Sequence, residues 1–434
     1  MKHVRNSDTP RASRKWRRMI LTATAIILGI GLLGLVTLAV LPALSPTAGA
    51  AVADQLRAWV GPEPVAELES LSFQFQDALN QIRYRTGNEQ PQLSWATTGG
   101  VTETPDAASP VEPPAVDAPL TPTPAPTAVP DPTATPQADA LQMSRHGGVN
   151  MPALATATPT IPSGFGWQPF GPTPAGQFVL ARTVLQPDPL RPYAQAAVVR
   201  IDLANTSLHL APGSVEPIAA RGVAPFPRPG MIPLDQQTSG NLVAAFNGGF
   251  KAVNGAYGMF SNGITILPPQ NGIATVALYR DGSVQMGAWG SELKGSPDLI
   301  ALRQNCPLLV DDGVINPQVQ IENPQLWGYT VKNLDTTWRS GLGLTADGRY
   351  LIYAAGPSLT VQALATALQH AGAYYAMQLD INAPYTRFVT FWNIAPNHLV
   401  ADKLLSQMVG TPSQFLTPYD RDFFYLTAIT APGR

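Results

Sequence analysis

The 434-residue chain contains one cysteine, Cys306. With no second thiol, no intrachain disulfide can form and no cysteine-rich zinc site can be built. A catalytic thiol would need a histidine partner, and none of the five histidines stands at a motif spacing from it, so Cys306 reads as a small buried side chain. Charge is also scarce. Only 13% of residues are charged and the formal net charge is −2, and beyond residue 18 there is no basic stripe of the kind that binds nucleic acid. There is no G-x-S-x-G, no H-E-x-x-H, no Walker A segment, and no G-x-G-x-x-G after a strand. Serine-hydrolase, zincin, P-loop and dinucleotide chemistry therefore lack their signatures. No metal-ligand motif assigns a cofactor, and the sequence leaves a divalent cation open.

A long gap in charge runs from Arg18 to Asp54. Within it, Met19–Val40 is about one bilayer thickness of apolar helix, at roughly 20 residues per span. Residues 1–18 hold seven Lys/Arg against Asp8, so the rest of the chain carries −8. A basic flank on the N-terminal side puts residues 1–18 in the cytoplasm and the rest outside. Residues 19–44 are thus expected to be a transmembrane signal anchor. The rival is a cleaved signal peptide, since Ala48-Gly49-Ala50 resembles a cleavage site. The apolar run exceeds the roughly 7–15 residues of a signal-peptide core, which favours the anchor.

Residues 51–96 form a juxtamembrane segment with helical patterning. Within 62–86, Leu68, Leu71, Phe75, Ala78 and Ile82 alternate by three and four, a short seam that suits a homodimer or a helix lying on the membrane or the folded domain. From 97 to 177 the composition turns to Pro, Thr and Ala, as in Thr121–Pro136 (TPTPAPTAVPDPTATP). Such a tract buries too little apolar surface to offset its ordering entropy and is expected to be a disordered spacer.

Residues 178–434 read as the folded domain. YAQAAVVRIDLA (193–204), SLHLAP (207–212) and AYYAMQLD (373–380) read as strands. Asp281-Gly282, Asp312-Gly313 and Asp347-Gly348 each separate two apolar runs, which is the strongest short hairpin signal. One helix is expected over Leu359–Ala371, capped by Ser358 and ended by Gly372, and a second over His398–Val409. The class is α+β, with a mixed, hairpin-rich sheet and a few packed helices.

Polar groups gather where apolar runs end: Asn247-Gly248-Gly249 inside AFNGGF (245–250), Asn262-Gly263, Arg303-Gln304-Asn305, Arg339-Ser340 and Asp380-Ile381-Asn382. A sheet could bring these tips to one cleft. Paired glycines allow close backbone approach and turn amides toward an anion, and two arginine forks suit a phosphate. Asp380 could then act as acid, base or nucleophile. The competing reading makes Arg303 and Arg339 structural ion-pair partners, with Asp380 as one of their acids.

In order, AFNGGF (245–250), YGMFSNGITILPP (257–269), ATVALYRDGSVQMGAWG (274–290), RQNCPLLVDDG (303–313), WRSGLGLTADGRYLIYAAG (338–356) and LATALQHAGAYYAMQLDIN (364–382) resemble the phosphodiester glycosidase family. The family's Asn-Gly-Gly-Phe element falls on Asn247–Phe250, its arginine before a Gly-rich strand on Arg339, and its Leu-Asp element on Leu379-Asp380. The resemblance implies hydrolysis of a sugar-1-phosphodiester, releasing the sugar and leaving a phosphomonoester. It implies Asp380, Arg339 and Asn247 as catalytic residues. Gly248, Gly249, Asn262, Arg303, Asn382 and Tyr257 would bind substrate, with Trp289, Trp327 and Trp338 as further sugar platforms. Many family members continue Asp-Gly-Gly where this chain has Asp380-Ile381-Asn382, a form similar to that of a bacterial cell-surface branch, and the change falls where the carboxylate sits. The alternative is a non-catalytic module that binds anionic glycans or builds the envelope.

The anchor has a direct test. Protease added to intact cells is expected to cut the chain in the Pro/Thr tract and leave a membrane-bound N-terminal stub on a denaturing gel. A mature chain that starts near Ala51 and washes off membranes would establish the signal peptide instead.

Overall fold

The computed structural model describes residues 46–87, 166–321, 326–328, 335–395 and 398–429. The Met19–Val40 run and the Pro/Thr tract of Thr121–Pro136 lie outside these. Among the described residues no helix is long and apolar enough to cross a membrane.

The strand β5 (Leu242–Asn247) is buried at all six positions, as its unbroken apolar run requires. It lies between β16 (Phe388–Ala395) and β18 (Phe423–Ala428) in a five-stranded sheet whose outer strands are β17 (His398–Lys403) and β4 (Thr206–Ala211). Phe246 of β5 stacks on Phe388 and Phe424 at ring separations of 5.7 and 5.4 Å, filling the centre of the core.

An eight-stranded sheet runs in the order β1 (Gln168–Phe170), β2 (Leu180–Leu185), β3 (Ala196–Asp202), β14 (Tyr350–Leu359), β13 (Thr337–Leu344), β15 (Tyr375–Ile381), β11 (Leu308–Asp311) and β12 (Val314–Ile315). A third sheet has the order β7 (Ile264–Leu267), β6 (Met259–Ser261), β10 (Leu299–Gln304), β8 (Ala274–Tyr279) and β9 (Val284–Ala288). Alternation along β3 shows why its strands are apolar on both faces. Ala197, Val199 and Ile201 enter a core shared by all three sheets, while Ala196 and Val198 pack under α4 (Val361–His370).

The sequence expectations fare unevenly. The Asp-Gly steps at 281, 312 and 347 are all hairpin turns, and Asp312 and Gly313 both take left-handed backbone (φ 48° and 76°). Every ladder between these strands is antiparallel, so the sheet is not mixed. The helix expected over His398–Val409 is instead strand β17. Val400 and Ala401 pair with Trp392 and Phe391, and this pairing overrides the local helical pattern. The folded domain begins ahead of Phe178, since β1 pairs with β2 from Gln168 onward. At α4 the cap is Thr360, not Ser358, because residues 358 and 359 still belong to β14.

Two helices precede the domain: α1 (Pro46–Val60) and α2 (Pro62–Arg85). They pack on each other through Ala53, Val65, Leu56 and Leu68. The pair rests on the domain through polar contacts. Ser70 donates to Asp335 at 2.6 Å, Asp77 pairs with Arg191 and accepts from the Tyr193 hydroxyl, and Lys251 reaches Asp54 at 2.6 Å. A further short helix, α3 (Leu234–Thr238), leads into β5.

The Thr360 hydroxyl accepts from the Ala363 amide at 3.0 Å. Thr360→Ala is expected to cost about 1 kcal/mol. In a domain of this size that is a fall in melting temperature of about 2–4 °C, measurable by thermal denaturation.

Candidate active site

β5 ends in Asn247, β15 carries Asp380 just before its end, and β18 begins at Phe423, so the tips of three strands from two sheets meet. Gly248 ties them together. Its carbonyl accepts from the Asp380 amide at 2.9 Å and its amide donates to the Asp422 carbonyl at 3.0 Å. The Gly249 amide donates to the Asp422 carboxylate at 3.1 Å. A Cβ on Gly248 would collide with that carboxylate, and one on Gly249 would sit 2.8 Å from the Arg303 guanidinium carbon. The paired glycines do turn their amides toward an anion by close approach, but the anion is the protein's own Asp422.

Arg303 grips the same carboxylate with two donors, at 2.8 and 3.2 Å, and spends the others on the carbonyls of Phe250, Tyr257 and Gln304. Both partners of the pair are fully buried. Arg339 is also fully buried and donates to the Leu359 carbonyl, the Gln378 side chain and the Asp335 carbonyl. Burial lowers its guanidinium to about 10, against the pull of Asp335. The Asn247 side chain bridges strands: it donates to Ser340 and the Gly248 carbonyl, and accepts from the Tyr353 hydroxyl and the Arg387 amide. Asn262 sits with Gly263 in an exposed left-handed turn between β6 and β7 (φ 53° and 77°). Tyr257 packs its ring against Phe250. None of Asn247, Gly248, Gly249, Tyr257, Asn262, Arg303 or Arg339 lines the pocket that holds Asp380.

That pocket assembles a different set around the carboxylate. Asp380 receives Arg421 at 2.5 Å on one oxygen and its neighbouring amide, from Ile381, at 3.0 Å on the other. Burial pushes its carboxyl up to about 6, with Arg421 opposing. Arg421 also donates to the Gly249 carbonyl and lies 4.5 Å over the Tyr385 ring. Lys251 stands 5.4 Å from the same ring. Burial alone would lower the Lys251 ammonium, but the contact with Asp54 leaves it raised. The remaining wall comes from Asp54, Arg57, Glu69 and Phe73 of the two N-terminal helices and from Asn382. Two acids and three bases therefore face the cavity around the raised Asp380 carboxyl, an arrangement suited to moving a proton or meeting a developing cation beside an anion.

Asn382 lines the pocket with its side-chain oxygen held by the Thr337 hydroxyl at 2.9 Å. Its backbone is left-handed (φ 72°), a conformation that glycine and asparagine share. The Asp-Ile-Asn form thus keeps a glycine-like bend at 382. Its difference lies in the Ile381 side chain, which packs over Gly328 and helps to line the cavity. Among the described residues no group of three or more His, Cys, Asp or Glu could hold a metal ion. Cys306 is buried, and burial pushes its thiol up to about 12, away from nucleophilic use.

Residues 240–380 match the phosphodiester glycosidase family. This segment is of that family. It runs from the turn before β5 to Asp380 and so contains both the Asn-Gly-Gly element and the carboxylate. Arg421, which pairs with Asp380, lies beyond it. No curated protein sequence matches the chain. Among solved structures, the zebrafish N-acetylglucosamine-1-phosphodiester alpha-N-acetylglucosaminidase catalytic domain, auto-inhibited by its pro-peptide, is 15% identical. The alignment covers 62% of this chain and 88% of that one, with a TM-score of 0.36. A hypothetical protein from Synechocystis is 11% identical, with 61% and 68% covered and a TM-score of 0.30.

The sequence signals for Arg421, Lys251 and Tyr385 are faint. Arg421-Asp422 is a charged pair directly before the wholly buried strand Phe423–Ala428, and charge at such a position needs a buried partner. Lys251 directly follows AFNGGF, and Tyr385 follows the Asp380 strand.

Substitutions at Arg339, Arg303 and Asp422 test the bracing roles. Arg339→Lys loses the fork that reaches Leu359 and Gln378, so melting temperature is expected to fall while the folded fraction stays active. For Arg303 and Asp422, each single truncation leaves a buried charge and should cost about 3–5 kcal/mol. The double variant Arg303→Met/Asp422→Leu should cost clearly less than the sum of the two singles in urea denaturation, as a coupled buried pair requires.

Proposed function

We propose that the chain is a hydrolase that cleaves the glycosidic bond of a sugar-1-phosphodiester in a surface glycan or glycoconjugate. We propose further that Met19–Val40 anchors it with the domain outside the cytoplasmic membrane. The observation that carries the chemistry is Asp380, a buried carboxyl raised to about 6 and set between Arg421 and the pocket that Lys251 shares. The family match over residues 240–380 supports the reaction class.

In the proposed reaction the oxygen of water bonds to the anomeric carbon as the bond from that carbon to the phosphate oxygen breaks. The phosphomonoester departs with the electron pair, and the proton lost by water balances it. Asp380 acts in its ionised form, meeting the positive charge at the anomeric carbon or taking the proton of water. Lys251 and Arg421 bear the phosphate charge, Lys251 by exchanging Asp54 for it. Asn382, fixed by Thr337, positions a sugar hydroxyl. Arg303, Arg339 and Asn247 hold the strand tips that place these groups. The alternative, an anionic-glycan-binding module without chemistry, rests on the two cations alone; binding without sugar release would establish it.

Asp380→Asn keeps the shape and removes the charge, so kcat on a sugar-1-phosphodiester is expected to fall on the order of a hundredfold or more, with folding verified by circular dichroism. In the parent enzyme kcat/KM should rise with pH through about 6 and level off above it, because the ionised form is the active one. The same shift fixes a stability trend. Asp380 is raised from 3.8 to about 6 in the folded state, so the folded chain holds a proton there that the unfolded chain has released. Its contribution to stability is complete below pH 3.8 and is lost as pH rises to about 6. Near-normal turnover of Asp380→Asn would move the chemistry to another carboxylate.

A further inference from the structure

The cavity that holds Asp380 amounts to about 50 Å³, room for only a few waters. Beside it lies a much larger groove of about 550 Å³ between the helix pair and the domain. Arg57, Glu69, Phe73, Asn382 and Tyr385 line both spaces, so the two adjoin. A substrate at Asp380 with a long substituent can extend past these residues into the groove.

The two ends differ in chemistry. The narrow end carries six charged groups, Asp54, Arg57, Glu69, Lys251, Asp380 and Arg421, of which the wide end shares Arg57 and Glu69 and adds only Arg83. The wide end is walled mainly by apolar surface from Ala53, Phe73, Leu79, Trp338, Pro357 and Pro384. At its rim Phe75 is 62% exposed, and Leu71 and Ile82 continue the same helix face outward at 55% and 57%. Only five residues separate Val40, the end of the apolar run, from Pro46, the start of α1. A chain that short reaches at most about 20 Å, so a membrane-anchored protein holds this rim close to the bilayer surface.

From these observations we infer that the groove takes the apolar chain of a lipid-linked substrate. The substrate is a sugar-1-phosphodiester whose other ester is a long-chain or isoprenoid alcohol. Its sugar–phosphate junction lies at Asn382 and Tyr385, and its hydrocarbon chain runs between α2 and the segments around Trp338 and Pro357. This rests on the hydrolase reading above and narrows it. Water adds hydroxyl to the anomeric carbon, and the leaving group departs as a lipid monophosphate with the electron pair of the broken bond. The free sugar goes to the exterior and the lipid phosphate stays in the membrane.

The test uses the full chain in lipid nanodiscs and two substrates that differ only in the alcohol, N-acetylglucosamine 1-phosphate esterified to methanol or to farnesol. KM for the farnesyl ester is expected at least tenfold below that for the methyl ester. Leu79→Glu should collapse this ratio and Leu79→Met should restore it, which a merely misfolded variant would not do. Binding of farnesyl monophosphate, read from tryptophan fluorescence, gives a second measure that needs no turnover. Equal kcat/KM for the two esters with no farnesyl phosphate binding overturns the proposal. So does a chain that sediments as a dimer through Leu71, Phe75 and Ile82 with the groove closed to the probe. Farnesyl phosphate binding without sugar release from either ester overturns the hydrolase reading and leaves the groove as a lipid-phosphate site.

Discussion

One buried ion pair holds the site together. Arg303 lies in β10 of one sheet and Asp422 directly precedes β18 of another, and neither touches solvent. Two charges out of water are tolerable only when every remaining donor and acceptor is met, and here the match is full on the guanidinium side and nearly so on the carboxylate. Asp422 takes two donors from Arg303 and the Gly249 amide. Its own carbonyl takes the Gly248 amide, and the Gly248 carbonyl takes the Asp380 amide. The position of the Asp380 carboxylate is thus set, bond by bond, from an ion pair closed off from solvent. Arg421 stands next to Asp422 in sequence, so the residue that anchors the pair also fixes the cation facing Asp380.

Much of this was visible in the chain and some was not, for definite reasons. Hairpin turns were legible because Asp-Gly satisfies a local backbone requirement and needs no partner, whereas the Asn262-Gly263 turn between β6 and β7 was read as part of the site. The burial of Leu242–Phe246 was legible from its lack of polar residues. The glycines of AFNGGF announced a close approach to an anion, but nothing nearby could say that the anion was Asp422, some 170 residues further on. Arg303 and Arg339 look the same in sequence whether they bind phosphate or brace strands, and burial decides between the two. Arg421 had no motif at all. The helical pattern over His398–Val409 gave way because pairing with β16 buries Val400 and Ala401 better than an isolated helix could.

Asn382 shows how a residue other than glycine can carry a glycine-like bend. Asparagine tolerates the left-handed backbone at 382 at low cost, so the chain leaves the strand as a glycine would let it. Beside it, the Ile381 side chain packs over Gly328 and narrows the space next to the carboxylate.

The docking of α2 changes what the long Pro/Thr tract can do. That helix ends at Arg85 and is held to the domain through Ser70 and Asp77, while the domain's first strand starts at Gln168. Both ends of the intervening chain are therefore fastened to one body. Its length cannot set how far the domain stands from a membrane; it sets only the effective concentration at which the helix pair and the domain meet. The helices then behave as a small tethered subunit, and a chain nicked anywhere in the tether would hold together by those contacts as a two-piece protein.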